Sequence, residues 1–465
     1  MIIPPDKAAE LERSLDGEVL RPGQPAFDDA RRGFQLGTPH EPALIAVPAS
    51  SGDLARVVAW AADLGLGVAM QCTGHGTCAP ADDDSVLIST VRLNGVRVDP
   101  HRRTAQVEAG ALWRDVVNAS AQWHLVPPCG ASLGVGVVGY LLGGGLGLLG
   151  RTLGSPADFL TSMTVVTSRG ELVHADPHQN AELFWGMKGS KGNLGVVASM
   201  TMDLVSLPEF FGGGLFFEGS NTLDVLHAYT RWVSTPPDSL CTSMAMLRYP
   251  SIEQVPPFLR GRQICHVRIV FTGGEAEARS LMSPLLGAAP VLKDTTAVLP
   301  FTACESIHAD PVDPVTTVSG SMLLRDLDAD ALHVLEAEAV GDHSVPLFVE
   351  LRHMQGKLAR GGAPPAPVGP YPEAVFNLFV VAHLEPDAGE QAKRAAGTRV
   401  QDLLTALRPW AAPGVLPNFL VGPQDEDTVR AAYGDSAYRR LRRLKQEYDP
   451  TNMFRYNLNI TPASD

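Results

Sequence analysis

The chain has 465 residues, 45% of them hydrophobic, and a formal net charge of −14. This length and apolar content predict two domains with packed cores and give no indication of disorder. The negative charge argues against nucleic acid and anionic membranes as partners, because both need a basic face. Residues 1–6 lack the basic and apolar regions of a secretory signal, so a cytoplasmic location is expected.

The N-terminal part of the chain predicts a βαβ-like unit. A strand at 43–48 precedes a helix from Ser51, its expected cap, to about Leu64, and a second strand follows at 68–71. That strand leads directly into the loop at 72–77, which holds a histidine between two glycines. Ligands of α/β sheets usually bind at the carboxyl ends of strands, so this loop is a candidate binding site.

Three cysteines lie in this loop or after it in the sequence. Cys72, Cys78 and Cys129 could be combined with His75 into a zinc site, but no second paired-ligand motif completes the set. We therefore expect no metal. Six cysteines in a chain of this length also predict no disulfide framework, and buried, unreactive thiols are the simpler interpretation.

Short strands are predicted at 86–88, 95–98 and 105–108, followed by a helix at 113–122. The most informative segment comes next, at 132–147, where seven residues are glycine and most others are apolar. We call it the glycine segment. Its pattern of glycines at 134, 136 and 139 matches the Rossmann fingerprint, but later glycines would interrupt the required helix. Its glycine content and flanks also disfavour a membrane span, so we expect buried loop and strand.

A hairpin is predicted at 163–174, and a second glycine-rich stretch, 183–197, leads into another strand. The middle third alternates helices near 222–233, 275–286 and 327–337 with strands such as 267–271 and 375–381, which suggests an antiparallel sheet carrying helices. A proline-rich exposed loop is predicted at 361–367. The charged stretch from Tyr438 to Tyr448 predicts a last helix, and a strand end with alternating Asn457 and Asn459 follows it.

Four motifs in this order resemble the berberine-bridge-enzyme-like branch of the vanillyl-alcohol-oxidase (PCMH-type) flavoprotein superfamily. They are Thr73-Gly74-His75-Gly76, the glycine segment, Phe184-Trp185 through Val197, and Tyr448-Asp449-Pro450 through Asn459-Ile460. The resemblance spans nearly the whole chain. It implies an α+β fold with a two-part FAD-binding domain, 1–206 and 413–465, and an inserted substrate domain, 207–412, built on an antiparallel sheet with helices.

Glycine loops at strand ends present main-chain N–H groups, which is how an acidic protein can bind the FAD pyrophosphate. The resemblance implies that His75 carries a covalent 8α-histidyl link to FAD; a buried histidine bonded to backbone is the alternative. Some relatives add a link from a cysteine where this chain has Ser132, so a single attachment is implied, although Cys129 lies only three residues earlier. The predicted FAD-binding residues are Thr73, Gly74, His75, Gly76, Thr77, Ser132, Gly134, Val135, Gly136, Val138, Gly139, Gly143, Gly144, Gly145, Gly147, Asn193, Gly195, Val197, Asn457 and Asn459.

The catalytic base is harder to place, because plant alcohol-oxidising relatives have a tyrosine where this chain has Leu146. The candidates are Tyr433, Tyr456 and His353, and for each a structural role is an open alternative. In the strand around His353, alternation puts Leu351 and His353 on one face and Glu350 and Arg352 on the other.

The resemblance implies an oxidase that passes a substrate hydride to FAD and then electrons to molecular oxygen, which yields hydrogen peroxide. Val135 lies at the position that gates oxygen access in relatives, and an ordinary strand residue is the alternative there. The expected substrate is a small-molecule alcohol, sugar or secondary metabolite. A redox-neutral flavin-containing cyclase, or a binding protein with structural FAD, is the alternative function.

Overall fold

The computed structural model describes residues 3–341, 343–362 and 366–463, and its mixture of helices and mainly antiparallel sheets confirms the predicted α+β class. The α-helices are α1 (Pro5–Ser14), α2 (Pro25–Ala30), α3 (Ser51–Asp63), α4 (Trp113–Ala121), α5 (Val137–Leu142), α6 (Gly150–Leu153), α7 (Ala181–Met187), α8 (Thr222–Trp232), α9 (Glu275–Leu286), α10 (Ala329–Val340), α11 (Lys357–Arg360), α12 (Glu390–Ala406) and α13 (Glu426–Tyr448).

The strands are β1 (Glu18–Leu20), β2 (Leu44–Val47), β3 (Gly67–Gln71), β4 (Ser85–Ser89), β5 (Val96–Asp99), β6 (Thr104–Glu108), β7 (Leu125–Val126), β8 (Leu160–Val166), β9 (Leu172–Ala175), β10 (Val196–Asp203), β11 (Val205–Ser206), β12 (Phe210–Glu218), β13 (Leu240–Arg248), β14 (Gln263–Phe271), β15 (Val291–Asp294), β16 (Ala297–Leu299), β17 (Thr316–Leu324), β18 (Leu347–His353) and β19 (Phe376–Leu384). None of the described helices combines the length and the apolar character needed to cross a membrane.

The first sheet has the strand order β1-β2-β4-β3 and contains the predicted βαβ-like unit. Both β2 and β3 run parallel to β4, which lies between them, so α3 connects two strands that are not direct neighbours. Helix α3 buries Leu54, Val57 and Val58 against this sheet, as its apolar spacing predicts. Its cap is Ser50, one residue before the predicted Ser51, because the Ser50 side chain accepts the Asp53 N–H. The unit directs the loop after β3 toward the second sheet.

The second sheet, β5-β6-β10-β8-β9, includes the predicted hairpin, which β8 and β9 form. The glycine segment packs beside this sheet and corrects one expectation, because its middle folds as the short helix α5 rather than as loop and strand. Gly143 ends α5, and the next two glycines have positive φ angles of 92° and 77°, which block a longer helix. A helix of six residues is compatible with the glycines that exclude a Rossmann helix.

The third sheet contains β12 to β19, all within residues 210–384, and all its strand pairs are antiparallel. One face packs against the surrounding helices and buries apolar side chains such as Val267, Val349 and Leu351. Side chains on the opposite face of the sheet, among them Arg268 and Glu350, are polar and buried. The alternation predicted for β18 is therefore confirmed for Leu351 and Glu350. This polar face lies next to the candidate site.

The C-terminal segment returns to the first two sheets. Leu444 of α13 joins the core of the second sheet, and Met453 and Phe454 join the core of the first. Helix α13 begins at Glu426, earlier than the predicted start, and Gly434 interrupts it with a φ of 69°. The residues after α13 form bends instead of the predicted strand end. Of the predicted proline-rich loop, residues 363–365 lie outside the described part of the chain.

Candidate functional site

A cavity of about 360 Å³ lies where the loop after β3, the glycine segment and the C-terminal tail meet the third sheet. We call it the main cavity. Its volume lies in the range of small-molecule and cofactor sites. The structure brings the following predicted FAD-binding residues into its wall: Thr73, Gly74, His75, Gly76, Thr77, Ser132, Val135, Gly136, Val138, Gly139, Gly195, Val197 and Asn457.

The loop after β3 presents unpaired donors to the main cavity. Gly74 has a φ of 71°, and a Cβ there would lie 2.5 Å from Gly33 Cα, so a side chain does not fit. Phe34 N–H donates to the Thr73 carbonyl (2.8 Å) and holds the loop in place. Within the described ranges, the N–H groups of residues 74–76 donate no hydrogen bond. Clustered free N–H groups bind phosphate oxygens, so this loop fits the FAD pyrophosphate.

Lys191 also lines the main cavity, and the sequence reasoning did not single it out. A Cβ added at Gly76 would lie 3.3 Å from Lys191 Nζ, which places this ammonium beside the free N–H groups. The Lys191 N–H donates to the Leu142 carbonyl (2.8 Å), so the second glycine-rich stretch is tied to α5. An acidic protein needs a local cation to hold a phosphate, and this requirement could have pointed to Lys191 from the sequence.

His75 lies in the wall with a defined ring orientation. Its Nδ1 is 2.8 Å from Thr73 Oγ1, and its ring stacks on Phe34 with centroids 3.8 Å apart and planes 12° from parallel. Burial lowers the pKa of His75 to about 4, so the imidazole is neutral at neutral pH. A neutral, oriented imidazole that faces a cofactor-sized cavity can act as a nucleophile or a metal ligand. None of the described histidine, cysteine and carboxylate side chains form a group that could hold a metal ion.

The structure separates Ser132 from Cys129. Ser132 lines the main cavity, whereas Cys129 is 1% exposed and absent from the wall. The neighbouring Cys304 thiol and burial both raise the pKa of Cys129, so this thiol stays protonated. The alternative in which Cys129 adds a second flavin link therefore has no support from its position.

The other predicted glycines lie outside the main cavity wall. Gly145 N–H donates to Asn418 Oδ1 (2.8 Å), and Asn418 Nδ2 donates to the Tyr140 carbonyl (3.0 Å). Because Asn418 itself lines the cavity, this part of the glycine segment positions the wall instead of forming it. The glycines concerned are Gly134, Gly143, Gly144, Gly145 and Gly147.

The three predicted asparagines have different surroundings. Asn193 is fully buried, donates to the Leu458 carbonyl (2.8 Å) and accepts the Ile460 N–H (2.8 Å), so it anchors the tail and does not line the cavity. Asn459 also lies outside the wall. Asn457 lines the cavity, and its buried Oδ1 has no hydrogen-bond partner in the described chain. An unpaired buried acceptor fits a donor on a bound ligand.

Neither tyrosine proposed as a base has a free hydroxyl at the cavity. Tyr433 lies outside the wall, its hydroxyl donates to the Gly189 carbonyl (3.2 Å), and burial raises its pKa. Tyr456 lines the wall, but its hydroxyl donates to Asp82 and accepts from Arg455 (2.8 Å). Both hydroxyls are engaged in hydrogen bonds with the protein, so the structure gives no support to a proton-transfer role for either tyrosine.

His353, the third candidate, lies in a smaller recess next to the main cavity, and the two spaces share Leu146 and Arg352 in their walls. It is 4% exposed, and its Nε2 is 3.4 Å from Arg151 Nη1. Burial, followed by the charge of Arg151, lowers the pKa of His353 to about 3. A group with so low a pKa is a poor base at neutral pH, so the structure gives no support to a proton-transfer role for His353.

Two charged residues that the sequence reasoning did not single out as a base also line the main cavity, Asp310 and Arg352. Arg352 Nε donates to Glu350 (2.7 Å), and its guanidinium carbon lies 5.4 Å from the Phe419 ring centroid. The sequence could have identified Arg352, because the predicted alternation of β18 puts Glu350 and Arg352 on one face of the strand. Asp310 follows a 3₁₀ helix, Phe301–Ile307, in a loop without a pattern that sequence reasoning could use.

Glu350 forms the centre of a buried polar cluster behind Arg352. It accepts from Arg268 Nη1 (2.6 Å) and from Ser243 Oγ (2.9 Å), and it is 1% exposed. Burial alone would raise the pKa of Glu350, but Arg352 and Arg268 outweigh it and hold the pKa well below its usual range. This ionised carboxylate fixes both arginines against the third sheet.

Two family models match the N-terminal and C-terminal segments that contribute residues to the main cavity. The family model described as FAD binding domain matches residues 42–176, and the model described as berberine and berberine like matches residues 416–461. (R)-6-hydroxynicotine oxidase from Paenarthrobacter nicotinovorans is 27% identical over 457 residues, which are 97% of this chain and 97% of that protein.

Two solved structures have the same fold along nearly the whole chain. Xylooligosaccharide oxidase from Myceliophthora thermophila C1 superposes with a TM-score of 0.85 at 19% identity, covering 99% of this chain and 100% of the other. Glucooligosaccharide oxidase from Acremonium strictum, described with a 6-S-cysteinyl, 8α-N1-histidyl FAD, gives a TM-score of 0.84 at 18% identity with the same coverage.

Proposed function

Since the chain belongs to the berberine-bridge-enzyme-like FAD-linked oxidoreductases, we propose that it is an oxidase of a small-molecule alcohol, sugar or secondary metabolite. The observation that carries this proposal is the main cavity, where free N–H groups at 74–76, the Lys191 ammonium and His75 meet. This donor set fits a pyrophosphate-containing cofactor held beside an oriented imidazole. When bound in the main cavity, FAD would supply the acceptor for a substrate hydride, with molecular oxygen as the proposed final electron acceptor.

We further propose that His75 is the single covalent attachment point of FAD. Its neutral ring, its position in the wall and the absence of Cys129 from that wall support this assignment. The histidyl linkage described for the fungal glucooligosaccharide oxidase supports it by analogy. The cysteinyl linkage of that protein has no counterpart at Ser132.

Asp310 is our proposed proton acceptor. It lines the main cavity near His75 and Arg352 and is partly exposed, so a substrate hydroxyl or amine can reach it. A carboxylate within reach of a substrate hydroxyl or amine can accept its proton as the substrate is oxidised. The hydroxynicotine and oligosaccharide oxidases show that relatives act on small molecules of different polarity, so the wall residues set the substrate.

We also propose the domain organisation that the sequence predicts. Residues 1–206 and 413–465 together hold FAD, and 207–412 form the substrate side, supported by the confinement of the third sheet to 210–384. Val135 lines the main cavity, which supports its role in oxygen access. A cytoplasmic location stays a prediction, and six free cysteines are compatible with it.

The test is reduction of the purified yellow protein without oxygen by a panel of alcohols, sugars, phenols and cyclic amines. We expect at least one class to bleach the flavin absorbance, and air to restore it with release of peroxide. An Asp310→Asn variant should keep its flavin, but substrate should reduce that flavin at least about 10²-fold more slowly than in wild type. The matched control is Asp313→Asn, three residues away and exposed.

A colourless folded protein would overturn the proposal. A yellow protein that no substrate class bleaches, but that converts a substrate without net oxidation, would instead support the redox-neutral alternative. That alternative is not favoured, because the hydroxynicotine and xylooligosaccharide oxidases, which match nearly the whole chain, are oxidases.

A further inference from the structure

The recess beside the main cavity is unusually basic for a buried space. Its wall contains three guanidinium groups, those of Arg151, Arg268 and Arg352. Arg151 and Arg268 are 2% and 3% exposed, and the Arg352 side chain is 20% exposed. Its volume is about 40 Å³, several times the minimum that one water molecule needs. We call it the basic recess.

The charges in this region do not balance. Glu350 is the one carboxylate that touches two of the three guanidinium groups. Asp310 lies near Arg352 and raises its pKa, so three guanidinium groups are accompanied by two carboxylates, an excess of one positive charge. Arg151 donates to main-chain carbonyls of Leu240 (2.8 Å) and Met354 (2.6 Å) instead. Carbonyl dipoles satisfy its N–H groups but leave its positive charge in place. A buried excess of positive charge is unfavourable unless an anion accompanies it.

The imidazoles of the region add no negative charge and are themselves under-bonded. Burial lowers the pKa of His308 and of His353, so both are neutral at neutral pH. The Nδ1 atoms of both rings are buried without a hydrogen-bond partner in the described chain, although the residues are only 7% and 4% exposed. Unpaired buried polar atoms of this kind indicate a ligand or water that belongs there.

Arg352 is the charged residue that lines both the basic recess and the main cavity. Glu350 binds only its Nε, and the described residues provide no hydrogen-bond acceptor for its two terminal nitrogens. The Phe419 ring lies under the guanidinium, and Phe379 packs edge-on against that ring with centroids 5.1 Å apart. The free end of a fixed guanidinium therefore faces a space with an aromatic wall.

We propose that Arg352 binds a carboxylate of the substrate, and hence that the substrate is an anionic, ring-containing small molecule. Two parallel N–H groups of a guanidinium match the two oxygens of a carboxylate, and Glu350 fixes the orientation of this fork in advance. The carboxylate lies at the entrance of the basic recess, and the ring packs on Phe419. This inference rests on the proposed oxidase function and specifies its substrate class.

The test uses the yellow holoprotein and three probes with the same ring: benzoate, benzamide and benzylamine. Their dissociation constants are measured from the change in the flavin absorption spectrum and by calorimetry, so that catalysis is not required. We expect benzoate to bind at least about tenfold more tightly than benzamide, with benzylamine weakest, because the guanidinium favours an anion.

Three variants separate a specific contact from a structural effect. Arg352→Gln should weaken benzoate binding by about tenfold or more and leave benzamide binding unchanged. Arg352→Lys should bind benzoate with intermediate affinity, since an ammonium keeps the charge but loses the fork. The control is Arg325→Gln, which removes an exposed arginine paired with Glu373 and should change nothing.

Benzamide binding as tightly as benzoate to the wild-type holoprotein would overturn the inference, and so would an Arg352→Gln variant that keeps the preference. If Arg352→Gln fails to fold, the wild-type probe series and Arg352→Lys decide the question. A colourless protein would contradict the proposed function, whereas a yellow protein without the benzoate preference contradicts only this inference.

Discussion

At the residue scale, the surroundings of His75 fix its chemistry. Stacking on Phe34 and the contact between Nδ1 and Thr73 Oγ1 hold the ring in one orientation. Burial keeps it unprotonated at neutral pH. The proposed covalent attachment needs both conditions, because a protonated or freely rotating imidazole is a poor nucleophile.

We predict that a His75→Ala variant loses covalent flavin while its fold persists. Intact-mass spectrometry under denaturing conditions should show wild-type chain heavier by one FAD and the variant at the mass of the bare chain. The matched control, His174→Ala, removes an exposed histidine and should keep the added mass. Covalent flavin on the His75→Ala chain would contradict the assignment and direct attention to another attachment residue.

At the element scale, α13 fixes the C-terminal tail through one buried ion pair. Lys445 Nζ donates to Asp449 (2.7 Å) and to the carbonyls of Asn193 (2.8 Å) and Phe454 (3.0 Å). Asp449 in turn accepts the N–H groups of Met453 (2.8 Å) and Phe454 (2.9 Å). Both charged side chains are fully buried. The pair joins α13, the tail and the second glycine-rich stretch next to the main cavity.

We predict that Asp449→Asn lowers the free energy of unfolding by about 3 to 5 kcal/mol, because it leaves the Lys445 charge buried without a carboxylate. Urea unfolding followed by circular dichroism measures this change. The control Asp435→Asn breaks an exposed pair with Arg430 on the same helix and should leave the midpoint unchanged. Equal midpoints for both variants would show that the buried pair is not needed for stability.

At the scale of the whole molecule, several buried histidines are neutral, and this couples stability to pH. His40 is 4% exposed, its Nδ1 accepts the Ala81 N–H (2.8 Å), and burial lowers its pKa to about 4. The unfolded chain binds the His40 proton below about pH 6.5, whereas the folded chain binds it only below about pH 4. Between these values protonation favours the unfolded state, so stability decreases as the pH falls.

We predict that His40 alone removes about 2 kcal/mol of stability between pH 7 and pH 5. A His40→Asn variant keeps an acceptor for the Ala81 N–H but cannot take up the proton, so its pH dependence should be flatter by that amount. Urea unfolding at a series of pH values measures both slopes. Replacing the exposed His178 with asparagine serves as the control, and the pH dependence of its stability should equal that of wild type. A slope unchanged in His40→Asn would contradict the prediction.

The sequence by itself determined the features that depend on local spacing. Apolar periodicity predicted α3 and the β8–β9 hairpin, and glycines at strand ends predicted the loop that carries His75. These signals are reliable because a helix face, a turn or a positive φ angle is specified by residues within a few positions of one another. The family motifs are equally local, and they predicted the class of cofactor.

Only the tertiary structure decided which side chains face the same space. Lys191, Asp310 and Arg352 are far apart in sequence and line one cavity, while Tyr433 and Asn193 prove to be anchored elsewhere by main-chain partners. The glycine segment contained a short helix that its composition argued against. The physical reason is that burial, charge balance and free hydrogen-bonding capacity depend on contacts between distant segments, and sequence spacing does not contain those contacts.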